Sequence, residues 1–218
     1  MTDPGIRVLL ADDHAAIRAG MRLMLEQAPD IIVVGEAADG AVAIRQAAAL
    51  RPDVVLMDIR MPGTDGITAT REITAAGLCD VLILTTFDFD DYLFGALRAG
   101  AAGFLLKSVE PAALIEAVRR VAAGDGFLAP EVTRRLLTAF VTTPPAAAPP
   151  ASPGLDSLTQ RERDVLAALG RGLSNADLAH ELSITEATAK THVSRVLAKL
   201  GCTSRVQAAI LAKEAGLA

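Results

Sequence analysis

Cysteine is scarce in this chain. Of 218 residues only Cys79 and Cys202 carry thiols, and no Cys/His cluster at metal-ligand spacing surrounds either. That argues against a disulfide framework and against a zinc site, and both read as reduced thiols. Long apolar runs are missing too. No stretch approaches the ~20 residues that span a bilayer. Residues 1–7 lack a basic flank followed by an apolar core. The expectation is a soluble, cytoplasmic protein with no membrane contact. No internal repeat is visible. Net positive charge is absent as well: Lys plus Arg number 21 against 26 Asp plus Glu, a formal charge of −5. A chain that coats nucleic acid over its whole surface is thereby disfavoured.

What is present is uneven. Residues 1–128 hold 11 basic and 18 acidic residues, whereas residues 129–218 hold 10 basic and 8 acidic. Within 185–213, Lys190, Arg195, Lys199, Arg205 and Lys213 face only Glu186. An acidic half and a locally basic tail suggest two different jobs. The length allows two modest domains, and a hydrophobic fraction of 51% supports real cores.

The first half alternates short apolar runs with helical stretches. Val8-Leu9-Leu10-Ala11 leads into Asp12-Asp13, Val54-Val55-Leu56-Met57 into Asp58, Val81-Leu82-Ile83-Leu84 into Thr85, and Phe104-Leu105-Leu106 into Lys107. Such runs read as buried parallel strands, with Ile31 to Val34 as another. Between them, helices are expected from the stripe Ile17, Met21, Met24, Leu25, from the segment after Asp39, from Ile67 to Ala76, from Asp88 to Ala99 and from Pro111 onward. Five strands alternating with five helices predict a doubly wound α/β domain with a five-stranded parallel sheet. Reactive groups of such sheets collect at the carboxyl ends of the strands. The spacing therefore predicts an acidic pocket of Asp12, Asp13 and Asp58, edged by the Thr85 hydroxyl and the Lys107 ammonium. Such a pocket suits Mg²⁺ and a phosphoryl group.

A short helix is expected over 131–140. The segment 142–154 is rich in proline and alanine, and proline lacks the donor that helix and sheet need, so a semi-extended linker is expected. From Leu155 the pattern changes to short helices. Thr159 with Glu162 forms a capping box. Ser174 and Thr185 start two more helices, and a fourth runs from Arg205 to Ala215. The tight Glu181-Leu182-Ser183-Ile184-Thr185 connection suits a helix-turn-helix. The expected division is 1–125, a linker over 126–154, and an all-α four-helix domain over 155–218.

These stretches together resemble a family. Leu10-Ala11-Asp12-Asp13-His14, Leu56-Met57-Asp58-Ile59-Arg60-Met61-Pro62, Leu84-Thr85-Thr86-Phe87 and Ala99-Gly100-Ala101-Ala102-Gly103-Phe104-Leu105-Leu106-Lys107 resemble a flavodoxin-like phosphoacceptor receiver domain. Leu158-Thr159-Gln160-Arg161-Glu162, Gly172-Leu173-Ser174-Asn175 and Thr188-Ala189-Lys190-Thr191-His192-Val193 resemble a LuxR-type helix-turn-helix. The whole is similar to a two-component response regulator of the NarL/FixJ type. The resemblance implies that Asp58 accepts a phosphoryl group from a sensor histidine kinase. It implies Mg²⁺ on Asp12, Asp13, Asp58 and the backbone carbonyl of Arg60. Lys107 and Thr85 would bind the phosphoryl oxygens. Thr85 and Phe104 would form the switch, Phe104 turning from exposed to buried. Lys190, Thr191, His192, Ser194, Arg195 and Lys199 would meet double-stranded promoter DNA. Val206, Ala209 and Ile210, with Ala212, would offer a dimer surface, and the phosphorylated protein would be a homodimer regulating transcription rather than an enzyme.

Plainer readings stand beside these. The three carboxylates can be solvated loop acids, Thr85 a strand former, Phe104 plain core, and the 185–200 face a solvated amphipathic surface. His14 is assigned no catalytic role. Ser108 follows Lys107 where many receivers have proline, and Ala189 stands where the LuxR-type pattern commonly has a larger aliphatic residue. Two rival functions remain open: a receiver whose output is protein binding, and an aspartyl-phosphate phosphotransferase or phosphatase. Against the second, Arg60 stands where an acid–base carboxylate two residues after Asp58 would be wanted.

Overall fold

The computed structural model describes residues 5–85, 90–129, 132 and 154–218, without the side chains of 90 and 91. Residues 133–153 of the expected linker, and with them most of the expected 131–140 helix, lie outside these residues. The chain splits into two compact units, Met1–Ala123 with Phe127–Ala129, and Gly124–Gly126 with Pro130–Ala218.

In the first unit, strands and helices alternate: β1 (Ile6–Ala11), α1 (Ala15–Leu25), β2 (Ile31–Ala37), α2 (Gly40–Leu50), β3 (Val54–Asp58), α3 (Gly66–Ala75), β4 (Asp80–Thr85), α4 (Asp90–Arg98), β5 (Gly103–Leu106), α5 (Pro111–Ala122) and β6 (Phe127–Leu128). The sheet order is β2-β1-β3-β4-β5-β6, and every pairing is parallel. The central strands are apolar on both faces because helices cover both. Val54 to Met57 and Val81 to Ile83 are fully buried.

The sheet has six strands, one more than the sequence pattern gave. Phe127 N–H donates to Ala102 O at 3.2 Å and Ala129 N–H to Phe104 O at 3.1 Å, which adds β6 to β5. Two residues carry no periodicity for a sequence reading to detect. Gly103 permits the pairing: a Cβ there would lie 2.5 Å from the Phe127 carbonyl oxygen.

Caps set the helix positions. The Asp39 carboxylate accepts from Val42 N–H at 2.8 Å, as the sequence suggested. Asp65 does the same for Thr68 at 2.8 Å and begins α3 one residue earlier than the apolar pattern did. Pro111 opens α5 as its first residue.

Residues 154–218 of the second unit hold a 3₁₀ turn (Leu155–Ser157), then α6 (Gln160–Gly170), α7 (Asn175–Leu182), α8 (Glu186–Leu200) and α9 (Arg205–Glu214). Val165, Leu166 and Leu169 of α6, Leu178 of α7, Val193 and Val196 of α8, and Ala208 and Ala212 of α9 form one core. The Thr159–Glu162 capping box is formed. Ser174 and Asp177 form a second, with aspartate where glutamate is usual. Between α7 and α8, Ser183 takes a left-handed conformation (φ 52°), and Ile184 N–H returns to Ala179 O at 2.9 Å. The turn closes in three residues, and Thr185 caps α8 through Thr188 N–H at 3.2 Å.

Candidate functional site

The strand order reverses between β1 and β3, so a crevice opens at their carboxyl ends. β1 delivers Asp12 and Asp13 there, β3 delivers Asp58, β4 Thr85, and the turn after β5 Lys107. Lys107 N–H donates to Thr85 O at 2.8 Å, which ties the ends of β4 and β5 together. The cavity holds about 430 Å³ and is lined by Asp13, His14, Ile17, Asp58, Ile59, Arg60, Thr85 and Lys107. The sequence-derived pocket residues are thus brought together.

Charge is concentrated in it. Asp12 is 1% exposed and Asp58 is buried. The Lys107 Nζ lies 2.7 Å from Asp12 Oδ2 and 2.9 Å from Asp58 Oδ2. The ammonium answers part of two buried negative charges. Burial pushes the Asp58 carboxyl above its ordinary proton affinity, and the Lys107 hydrogen bond and charge pull against that. Asp58 Oδ1 accepts from Ile59 N–H at 2.9 Å, which leaves Oδ2 directed at the ammonium.

The chain around Asp58 is held tightly. Gly66 N–H donates to Ile59 O at 2.9 Å. A Cβ on residue 66 would lie 1.9 Å from the Asp58 carbonyl oxygen, so only glycine lets α3 begin against the end of β3. In the turn formers that the sequence displayed, this close approach was not legible.

The acidic cluster fits a hard divalent cation. Donor atoms of Asp12, Asp13 and His14 lie within 4.8 Å of one another. Asp12 Oδ1 accepts from His14 N–H at 2.8 Å. Asp12 Oδ2 is buried and accepts no hydrogen bond among the described residues; the Lys107 ammonium beside it acts as a charge, not as an aligned donor. A buried carboxylate oxygen without a donor has lone pairs for a metal. His14, 67% exposed, places its Nδ1 2.7 Å from Asp13 Oδ1 at the rim.

Phe104 is already fully buried, paired on β5 between β4 and β6. The exposed starting position that the resemblance implied for its ring is not found. Among the described residues no peptide bond is cis, so the Lys107–Ser108 bond is trans.

On α8, Lys190, Thr191, Ser194 and Arg195 are exposed and His192 is half-buried. Thr191 Oγ1 donates back to Ala187 O at 3.0 Å. Lys199 is exposed as well, and it has a partner within the chain: its Nζ lies 2.7 Å from Glu162 Oε2 and donates to Ser157 O at 3.3 Å. It ties α8 to the cap of α6, and its ammonium holds the Glu162 carboxyl down to about 2. Its outer-face position was legible from periodicity, whereas its partner was not. Ala189 is fully buried, filling the core under α8 with a single methyl group.

The expected dimer surface on α9 shrinks. Ala212 is fully buried beneath Gly170, where an added Cβ would meet the Ala212 methyl at 2.8 Å. Val206 is buried as well, while Ala209 and Ile210 are half-buried. Small residues at helical spacing had suggested a surface; here they let α9 approach α6.

Comparison with known proteins agrees with both units. Residues 8–119 match the response regulator receiver domain, and residues 156–212 match the bacterial regulatory proteins of the luxR family. The chain is 40% identical over 209 residues to the transcriptional regulatory protein LiaR of Bacillus subtilis (strain 168), covering 95% of this chain and 96% of that protein. It is 37% identical over 204 residues to the nitrate/nitrite response regulator protein NarL of Escherichia coli (strain K12), covering 93% of each. The crystal structure of the response regulator ChrA from a heme-sensing two-component system is 42% identical, with a TM-score of 0.56, over 99% of this chain and 100% of that one. Two strand-end carboxylates braced by one lysine in the first unit, capped helices in the second, and relatives matched along almost their full length give one conclusion: this chain belongs to the NarL/LiaR-type response regulators, which join a receiver domain to a LuxR-type DNA-binding domain.

Proposed function

We propose that Asp58 is the phosphoacceptor of a transcription regulator whose DNA binding follows its phosphorylation. The observation that carries the reading is the Asp58 carboxylate itself: buried, raised in proton affinity, 2.9 Å from Lys107, and beside Asp12 at the crevice. In the transfer, an Asp58 oxygen attacks the phosphorus of a phosphohistidine on a sensor kinase. The P–N bond breaks, its electron pair stays on the imidazole nitrogen, and an acyl phosphate forms.

Each residue has a task in that step. Lys107 sits where it can donate to the phosphoryl oxygens as a compact cation. The Thr85 hydroxyl, on the cavity wall, donates to one of them. Asp12 and Asp13, with Asp58 and the Arg60 backbone carbonyl, would hold Mg²⁺, which neutralises phosphoryl charge. Phe104 is already buried in the core, so an inward turn of its ring is not part of this reading.

The output would lie in residues 155–218; β6 carries the receiver sheet past the expected boundary at residue 125, so the joining segment would follow Ala129. Lys190, Thr191, Ser194 and Arg195 would read double-stranded DNA from α8, with His192 at the edge. Phosphorylation would favour a homodimer, with Ala209 and Ile210 of α9 at its contact, and two linked half-site contacts raise the effective concentration of the second. The protein would work in the cytoplasm as a regulator, not an enzyme; among the described residues no helix is long and apolar enough to cross a membrane.

The test is made on the full-length protein. Duplexes are selected from a random-sequence pool with Mg²⁺ and acetyl phosphate, and binding and sedimentation are measured with and without the donor at matched salt. The reading expects higher affinity for the selected duplex and a larger mass with the donor. Equal affinity and equal mass in both conditions contradict it.

A further inference from the structure

The Asp12 backbone is held at both its N–H and its carbonyl by groups that the pocket chemistry does not name. Its N–H donates to Ala37 O at 3.1 Å, at the end of β2. Its carbonyl oxygen accepts a 2.6 Å hydrogen bond from Nη1 of Arg18. Arg18 lies on α1 with its side chain only 15% exposed, and its Nε donates to Glu36 Oε2 of β2 at 3.1 Å. Glu36 is itself braced: Arg22 Nε and Nη2 donate to its Oε1 at 2.9 and 2.7 Å. One guanidinium thus bridges the backbone of the acidic loop to a carboxylate anchored on the neighbouring strand.

We infer that Arg18 is a positioning residue for the cation site: its fork fixes the Asp12 backbone so that the Asp12 and Asp13 carboxylates meet a divalent ion in one geometry. This inference rests on the proposed cation-holding role of the pocket. No sequence motif marks it, since an arginine on the polar side of a helix reads as solvated. The bridge was legible only once β2 was seen to lie beside β1, bringing Glu36 opposite Leu10.

The sign of its effect separates positioning from charge. A guanidinium near a cation site repels the cation, so a purely electrostatic role would make its removal strengthen metal binding. Positioning demands the reverse. Mg²⁺ requires near-ideal octahedral oxygens, whereas Ca²⁺ accepts irregular ones. Loosening the Asp12 backbone should therefore penalise Mg²⁺ far more than Ca²⁺. Lysine cannot span the carbonyl and the carboxylate as a planar fork does, so it should not restore the geometry.

The experiment titrates Mg²⁺ and Ca²⁺ calorimetrically into the full-length protein, with no phosphodonor, for the wild type, Arg18→Met and Arg18→Lys. Arg18→Met is expected to lose about tenfold in Mg²⁺ affinity, as outer partners of metal ligands commonly cost, with a much smaller loss for Ca²⁺. Arg18→Lys should resemble it. If Arg18→Met does not fold by circular dichroism, Arg18→Lys carries the comparison alone. Unchanged or tighter Mg²⁺ binding by a folded variant, or equal losses for the two ions, overturns the inference while leaving the pocket reading intact. Wild-type protein that binds neither ion overturns the pocket reading and this inference with it.

Discussion

Lys107 Nζ lies within 3 Å of carboxylate oxygens on both Asp12 and Asp58, at 2.7 and 2.9 Å, and so holds two strand ends with one charge. The same oxygens are the ones a divalent cation would approach. The ammonium and the metal therefore compete for part of one negative field. Lys107→Met should tighten Mg²⁺ binding by roughly tenfold, since a unit charge a few ångströms away is worth a few kcal/mol at an effective dielectric of about 20, before relaxation. It should also slow phosphoryl uptake, because the phosphoryl oxygens lose their cation. Calorimetry with Mg²⁺ and uptake from acetyl phosphate check the two halves; weaker Mg²⁺ binding contradicts the competition.

Gly66 sets the distance between α3 and the phosphoacceptor. Gly66→Ala would put a methyl group at 1.9 Å from the Asp58 carbonyl oxygen. Backbone must shift, so a loss of about 1–3 kcal/mol is expected, together with slower phosphoryl uptake. Gly20 in the middle of α1 has nothing within 4 Å. Gly20→Ala should stabilise by about 0.5–1 kcal/mol through backbone entropy alone. Chemical denaturation of both variants tests the pair, and similar effects in the two would contradict the close approach.

Asp80, at the opposite end of β4, gives a pH dependence. Burial pushes its carboxyl from 3.8 up to about 6. The folded chain therefore binds more protons than the unfolded chain between these values. Its contribution favours folding below about pH 4 and is lost as pH rises towards 6. Asp80→Asn should be more stable than the wild type at pH 7.5, by about 2 kcal/mol, and the difference should shrink below pH 4. Urea midpoints of the two proteins at both pH values decide it; a constant difference contradicts the raised carboxyl of the half-buried Asp80.

On α8 two lysines should behave differently. Lys190 is exposed, whereas Lys199 is bound to Glu162. Lys190→Ala should reduce the log–log salt slope of DNA binding by about one if it meets a phosphate. Lys199→Met should leave that slope unchanged and lower the thermal midpoint of the second unit. The Glu162 carboxyl, held near 2 by that ammonium, adds stability that is present above its ordinary 4.5 and lost as pH falls towards 2. Equal slopes for Lys190→Ala and the wild type would remove Lys190 from the interface.

Much of the first unit was legible because parallel strands are short, apolar and end in the residues that matter. Asp12, Asp13, Asp58, Thr85 and Lys107 all followed from that rule. What escaped depended on partners distant in sequence. β6 is two residues long and exists only through its pairing with β5. The Asp65 cap was hidden in a turn-rich segment, and the Ser174–Asp177 box uses aspartate in place of the expected glutamate. Ala212 was put on the surface because helical spacing cannot tell a face that meets solvent from one that meets another helix; the ion pair of the exposed Lys199 with Glu162 escaped because spacing shows no partner. Phe104 was read in two ways, and its full burial favours the core reading for the state described here.

The central claim is that Asp58 takes a phosphoryl group with the help of a cation in this pocket. The direct measurement is the intact mass of the full-length protein after incubation with acetyl phosphate and Mg²⁺, followed by peptide mapping of borohydride-trapped acyl phosphate. The account predicts one phosphoryl group, located on Asp58, absent when Mg²⁺ is chelated and absent in Asp58→Ala. No added mass in the wild type, or the same mass retained in Asp58→Ala, would contradict it.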